Sequence, residues 1–371
     1  MKARVAIVGA GVAGLSAAVT LAKNDHNSEF AVEVFERKNE IGSLYKSTGG
    51  IAFHWLNQID LDLNLEKTLE AVINKVELHS QKHETTIRTK DNRPLGVVID
   101  HRKLEKHLAE QARKEGVRIH TGVTIKSLKD LDHDFIIGAD GTFSEIARET
   151  VGLPNENEVH KCLEYWIDQP PDGTLHLFFK PYCPKGYIWA FPSKDYIKVG
   201  AGIPLSEKER LPKILEKFLK ERPEFSGKIL EKHGGCVPTP TPLPTVVPKS
   251  YIALIGDAGR LVNSATGGGL HLAMLSGISA ALSLVLTRSF ARYESWYISK
   301  ILPELRKWSR IKKALWSLTE DDMDTLVKTI GGEYVISGAP NPLKELEKAV
   351  ALFLKNPKLA VKLGLAFLRG D

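Results

Sequence analysis

Apolar positions follow two rhythms in this chain. Short apolar runs, interrupted only at Arg4, mark one class of segment: Ala3–Val8, Val97–Ile99, Phe135–Ile137 and Tyr251–Ile255. Runs of that length, closed by glycine or aspartate, predict strands buried on both faces, as in a parallel sheet. Between them lie longer stretches with helical spacing: Ala/Leu-rich to about Lys23, from Lys103 to Lys114, and from Gly269 to about Leu286. Elsewhere the pattern alternates, as in Thr85–Thr89, Leu175–Phe179 and Tyr187–Phe191, which predicts half-buried strands. The expected fold is α/β, with a mostly antiparallel sheet inserted into a parallel lobe. Residues 206–232 read as helical, and Val237–Pro244 as extended, because proline and the residue before it disfavour helix. Residues from 291 onward read as helices.

The first strand runs into Gly9-Ala10-Gly11-Val12-Ala13-Gly14, and a second strand, Val32–Glu36, ends on an acid. Gly9 allows the tight turn, Gly11 lets the backbone approach a pyrophosphate, and Gly14 lets the helix pack closely. The helix start offers free N–H groups to the phosphates. Glu36 suits ribose hydroxyls and would repel a 2′-phosphate, so FAD or NAD is expected rather than NADP.

Two further turns follow strands. Gly138-Ala139-Asp140-Gly141 carries Ser144 and Arg148 behind it, and an Asp140–Arg148 ion pair is one expectation. Asp257 ends the strand Tyr251–Ile255, and Gly267-Gly268-Gly269 opens the next helix. Such an aspartate suits a ribityl hydroxyl, and the helix start suits negative charge on a reduced flavin ring.

Taken in order, these elements resemble the para-hydroxybenzoate hydroxylase-like FAD superfamily. Tyr187-Ile188-Trp189-Ala190-Phe191-Pro192 narrows the resemblance, being similar to the Tyr-x-Trp-x-Phe-Pro signature of the geranylgeranyl reductases, the archaeal lipid reductases among them. The stretch Gly256–Leu270 is close to that family's flavin motif. The resemblance implies a Rossmann-like FAD-binding lobe from segments 1–50, 97–150 and 250–290. It implies a substrate-binding roof from 51–96 and 151–249, and a helical region over 291–371. It implies FAD contacts at Ala13, Gly50, Arg102, Val123, Gly268, Gly269 and Leu270, and a lipid pocket lined by Tyr187, Trp189 and Phe191. The implied activity is hydrogenation of isoprenoid double bonds of a prenyl lipid. Rival readings are an aromatic monooxygenase using NAD(P)H and oxygen, and an electron or lipid carrier. The family's cysteine-bearing element is replaced here by Ser47-Thr48-Gly49-Gly50. With a single dinucleotide fingerprint given to FAD, an external donor is expected, either ferredoxin-like or NAD(P)H.

The remaining signals are weaker. A net charge of +6 over 371 residues is a mild excess that suits anionic ligands and names none; no nucleic-acid partner is expected. Cys162, Cys183 and Cys236 are too dispersed for a cluster, and their odd number with no signal peptide favours a reducing cytoplasm. No apolar run of about eighteen residues stands out as a membrane span. No metal site is expected: Glu320-Asp321-Asp322-Met323-Asp324 reads as the acidic first turn of a helix. His54 and His271 read as structural histidines or proton donors, and no catalytic acid is assigned. Leu346, Val350, Leu354, Leu359, Leu363 and Phe367, interleaved with lysines, predict a basic amphipathic helix. It either docks on the protein or makes peripheral contact with an anionic membrane.

Overall fold

The computed structural model describes residues 1–336, so the basic apolar tail lies outside the described residues. Strand Ala3–Val8 is the centre of a five-stranded parallel sheet. The order is Ile252–Leu254, Phe135–Gly138, Ala3–Val8, Phe30–Glu36, Arg118–Thr121. Three of the apolar runs follow from this placement, with Val5, Ala6, Ile7, Ile252 and Leu254 wholly buried, whereas Val97–Ile99 departs from the parallel-sheet expectation and pairs antiparallel in a separate small sheet.

Helices Val12–Asn24 and Leu270–Thr287 cross on one face of the sheet. The crossing is close because Gly277 has no Cβ; one would sit 2.5 Å from the carbonyl oxygen of Ala13. Helix Leu270–Thr287 has a length of 18 residues and a mean hydropathy of 1.8, enough by composition to cross a bilayer. This differs from the sequence reading, which the interspersed serines and glycine obscured. Half of the helix is buried within the protein, where Ser276 Oγ takes the N–H of Gly256, so it serves as a core helix.

The second sheet has eight strands. Its order is Ile229–Pro238, Val159–Ile167, Ile197–Pro204, Tyr187–Pro192, Thr174–Phe178, Lys75–His79, Glu84–Thr89, Glu333–Ile336. It is antiparallel except at two seams, Thr174–Phe178 with Lys75–His79 and Glu333–Ile336 with Glu84–Thr89. Helix Leu211–Glu221 covers one face, packing Ile214, Leu215 and Phe218 against Ile188, Val199 and Ala201. Side chains alternate across a strand, so Tyr187 and Trp189 take the opposite face. A small sheet, Gly50–Ala52 with Gly96–Ile99 and Leu69–Ile73, links the two larger ones.

Two expectations are corrected. The helix expected over 206–232 stops at Glu221, and Ile229–Pro238 is an edge strand. Its first residues, Ile229 to Glu231, are exposed, and its neighbour Val159–Ile167 supplies the ladder that local propensity did not signal. Nor is the region after 291 entirely helical, since Glu333–Ile336 adds a parallel strand to the sheet.

Candidate active site

Two glycines of the first turn, Gly9 and Gly14, are there because nothing larger fits. Gly9 has φ +107°, and a Cβ on it would lie 2.4 Å from the Ala139 carbonyl oxygen. A Cβ on Gly14 would lie 2.0 Å from the carbonyl oxygen of Gly9. Gly11 caps helix Val12–Asn24 without a side-chain acceptor, and Gly269 does the same for Leu270–Thr287. Beside them, helix His101–Lys114 is closed by Asp100, which accepts from the N–H of Arg102 and Lys103. The two open helix starts therefore present backbone donors to an anionic ligand.

Glu36 is buried; one oxygen accepts from Ala10 N–H at 2.9 Å and the other from Lys38 N–H at 3.0 Å. It fixes the glycine turn, a role the sequence did not suggest, and each oxygen keeps a lone pair for a ribose. Val123 donates its N–H to the Glu36 carbonyl and lies exposed beside it. Asp140 does not pair with Arg148. It accepts the N–H of Glu145 at 2.7 Å as a turn cap, while Arg148 pairs with Glu145 at 2.9 Å, one helical turn away. Burial raises the pKa of Asp140, and its second oxygen meets no donor among the described residues.

At the other end of the cradle, Ala13 and Gly256 nearly touch, and Asp257 faces Gly269 and Thr142. Burial pushes Asp257 up to about 6. Ser264 Oγ is buried there with no partner among the described residues. Unmet polar atoms, open helix starts and glycines that no Cβ could replace fit an extended dinucleotide running from Glu36 to Gly269.

Glu105 stands behind Gly11, its carboxylate 3.8 Å from where a Cβ there would lie. Burial raises it from 4.5 to about 7, with Lys46 and Lys38 opposing. The neutral acid is therefore the form the fold prefers. Its contribution to stability is whole below about pH 4.5 and is lost as pH rises through about 7. Cofactor-free Glu105→Gln should match the wild type in urea unfolding at pH 4.5 and exceed it at pH 8, by up to about 3 kcal/mol. Parallel curves at both pH values would remove the assignment.

Where the cradle meets the roof sheet, a cavity of about 790 Å³ opens, lined by Gly49, Gly50, Gly267–Gly269 and Leu270 on one side. Tyr187, Trp189 and Phe191 form the roof wall. Phe191 lies against Gly50, where a Cβ would meet the ring at 2.7 Å. Tyr187 Oη donates to the Thr266 carbonyl, tying roof to cradle. Val237, Leu315, Trp316, Leu318 and Met323 add apolar lining, interrupted by Thr319, Glu320 and Asp321. The volume lies within the usual range for small-molecule sites, about 300–1,000 Å³.

Sequence reasoning missed a polar cluster beneath this wall. Glu164 is buried and accepts from Trp189 Nε1 at 2.9 Å, Trp166 Nε1 at 3.1 Å and Thr48 Oγ1 at 2.5 Å. It fixes both indoles and the loop that carries Gly50. Lys198 is wholly buried; its Nζ meets Glu70, Tyr45 Oη and the Thr48 carbonyl. Burial, then Glu164 and Glu70, hold the Tyr45 phenol far above its usual value. The signal available was a single lysine inside the apolar strand Ile197–Pro204 and a single glutamate inside Leu163–Ile167. The Arg102 guanidinium lies 5.1 Å from the rings of Tyr45 and Trp166, and Tyr45 lines the cavity.

His54 and His271 flank Trp55, at 4.7 and 4.5 Å between rings, and neither lines the cavity. Burial pushes His271 down to about 3, so it stays neutral. The acidic stretch after Thr319 is a helix start, closed by a Thr319–Asp322 capping box. The three cysteines are free.

Comparisons with known proteins add the following. Residues 158–237 match the model of the geranylgeranyl reductase catalytic domain, and residues 7–56 match a NAD(P)-binding Rossmann-like domain. Digeranylgeranylglycerophospholipid reductase 2 of Methanothermobacter thermautotrophicus is 26% identical over 370 residues, covering 90% of this chain and 93% of the relative. The digeranylgeranylglycerophospholipid reductase of Picrophilus torridus is also 26% identical, covering 97% of this chain and 98% of its own. A solved geranylgeranyl bacteriochlorophyll reductase-like protein from Thermoplasma acidophilum superposes with a TM-score of 0.83 at 23% identity, over 98% of this chain and 99% of that one, which shows the shared fold.

Proposed function

We propose that this chain is an FAD-dependent reductase hydrogenating the isoprenoid double bonds of a prenyl lipid, a reading supported by the match of residues 158–237 to the geranylgeranyl reductase catalytic domain and by the likeness to an archaeal lipid reductase over nine-tenths of the chain. The observation that carries this reading is the Tyr187–Trp189–Phe191 wall and the open helix start at Gly269 lining one cavity. In this reading 1–50, 97–150 and 250–290 hold the cofactor, and 51–96 with 151–249 hold the lipid. FAD bound in reduced form would supply a hydride equivalent, and the product alkane needs one proton besides.

The protein's own residues bind, orient and exclude water. The glycine turn and Glu36 hold the adenosine diphosphate. Asp257 and the N–H groups at Gly268, Gly269 and Leu270 hold the far end. The aromatic wall, fixed by Glu164 and Thr266, presses the alkene into one orientation. Glu164 accepts three hydrogen bonds, which makes it an anchor rather than a proton donor.

Incubation of chemically reduced protein with a digeranylgeranyl lipid, oxygen excluded, should give products heavier by whole hydrogen molecules in mass spectrometry. Ferredoxin and NAD(P)H are then compared as donors. Lipid recovered unchanged with every donor would leave a carrier. A phenol hydroxylated in the presence of NAD(P)H and oxygen would make the protein a monooxygenase.

A further inference from the structure

Away from the cavity, the roof sheet has a parallel seam that joins its two inserts. Strand Lys75–His79 lies beside strand Thr174–Phe178, with His176 opposite Glu77 and Phe178 opposite His79. Residues two apart on a strand share a face, so Glu77 and His79 point the same way. The register then sets His176 beside both.

Three side-chain atoms converge there. Glu77 Oε2 is 3.1 Å from His176 Nδ1 and 3.5 Å from His79 Nε2, and the two ring nitrogens are 3.2 Å apart. Protons alone satisfy this triangle poorly. A single N–H reaches two of the atoms, and the two left facing each other are both acceptors. The edges match the separation of ligand atoms around a tetrahedral zinc ion, about 3.3 Å for bonds of about 2.0–2.1 Å.

The surroundings hold these atoms in place. Lys75 Nζ takes the other oxygen of Glu77 at 3.1 Å, which leaves Oε2 turned to the rings. Glu84 Oε2 lies 3.4 Å from His79 Nδ1, where an outer carboxylate orients a ligating imidazole. Phe178 stacks on the His79 ring at 4.4 Å, and Phe225 stands edge-on to His176 at 5.0 Å. His79 is buried, while His176 and Glu77 are partly exposed, which gives an ion a path from solvent.

We propose that Glu77, His79 and His176 bind one divalent transition-metal ion, zinc by preference, that staples the two inserts of the roof sheet across their parallel seam. Two nitrogens and one carboxylate oxygen suit zinc or cobalt and disfavour magnesium. The site is independent of the reaction at the cavity. The sequence concealed it because its ligands are 77, 79 and 176, with no short metal motif.

The test is metal binding by the whole protein with its flavin bound. Calorimetry with Zn²⁺ should give one site per chain, with no heat from Mg²⁺. Co²⁺ should add absorption bands to the red of the flavin, and Zn²⁺ should abolish them. His79→Gln and His176→Gln should each weaken binding roughly 100-fold or more, while His83→Gln leaves it unchanged. Thermal unfolding of the wild type should shift upward with Zn²⁺. Should either ligand variant fold poorly, the wild-type Co²⁺ bands still decide. Their absence, or Zn²⁺ uptake undiminished in both variants, overturns the site.

Discussion

Trp189→Ala should retain flavin and lose prenyl-lipid turnover by roughly 100-fold or more, since small misplacement of reacting groups is that costly. The indole lies flat on the backbone of Gly200, its cross-strand partner, where a Cβ would meet the ring at 2.4 Å. Its N–H is held by Glu164. Three variants therefore probe one feature by different means. Trp189→Ala removes the surface, Glu164→Gln weakens the anchor, and Gly200→Ala pushes the ring off its seat without removing any apolar area. All three should lower turnover while flavin content stays near the wild type. Trp189 is also 8% exposed, so its truncation should cost about 3 kcal/mol of stability as well, more than a loose cavity-lining residue would. Ile188→Ala is the control, because Ile188 is wholly buried in the cluster under helix Leu211–Glu221. It should cost about 2–4 kcal/mol and leave turnover per folded molecule intact. Full specific activity in Trp189→Ala and Gly200→Ala would reduce the motif to packing.

Glu36→Arg should empty the protein of flavin, with absorbance at the flavin bands falling to roughly a tenth or less of the wild type. The change removes a ribose acceptor, and about 1.4 kcal/mol is already tenfold in affinity. It also leaves the Ala10 and Lys38 N–H groups without their acceptor in a buried place. Each such loss costs about 1–3 kcal/mol, so the melting temperature should fall too. Glu36→Gln separates the two roles. Its one carbonyl oxygen can take only one of the two N–H groups while its NH2 faces the other, so the melting temperature should fall less than in Glu36→Arg while flavin affinity still drops. Wild-type flavin occupancy in Glu36→Arg would sink the assignment.

What the sequence disclosed was what is local. The spacing of Gly9, Gly11, Gly14 and Glu36 is read along one strand–turn–helix–strand unit, and the face shared by Tyr187 and Trp189 follows from a period of two. What it hid depends on register between distant strands. Glu164 reaches Trp189 only because Val159–Ile167 and Tyr187–Pro192 both flank Ile197–Pro204. Lys198 meets Glu70 across two different sheets. Strand Glu333–Ile336 has four residues and no alternation of its own, and exists because Glu84–Thr89 offers it an edge. Arg148 took the nearer Glu145 because a partner one helical turn away needs no loop to be ordered first.

That late strand bears on biosynthesis. The roof sheet is begun by residues 75–89 and finished by residues 333–336, so its outer edge stays bare while most of the chain is being made. The parallel sheet waits in the same way, since Phe135–Gly138 cannot gain its outer neighbour until Ile252–Leu254 emerges. Pairings so distant along the chain form slowly, and an uncovered edge recruits other chains. A ribosome that stalls before residue 333 would thus release a polypeptide with its fingerprint folded and a sticky β-edge exposed, a natural substrate for chaperones.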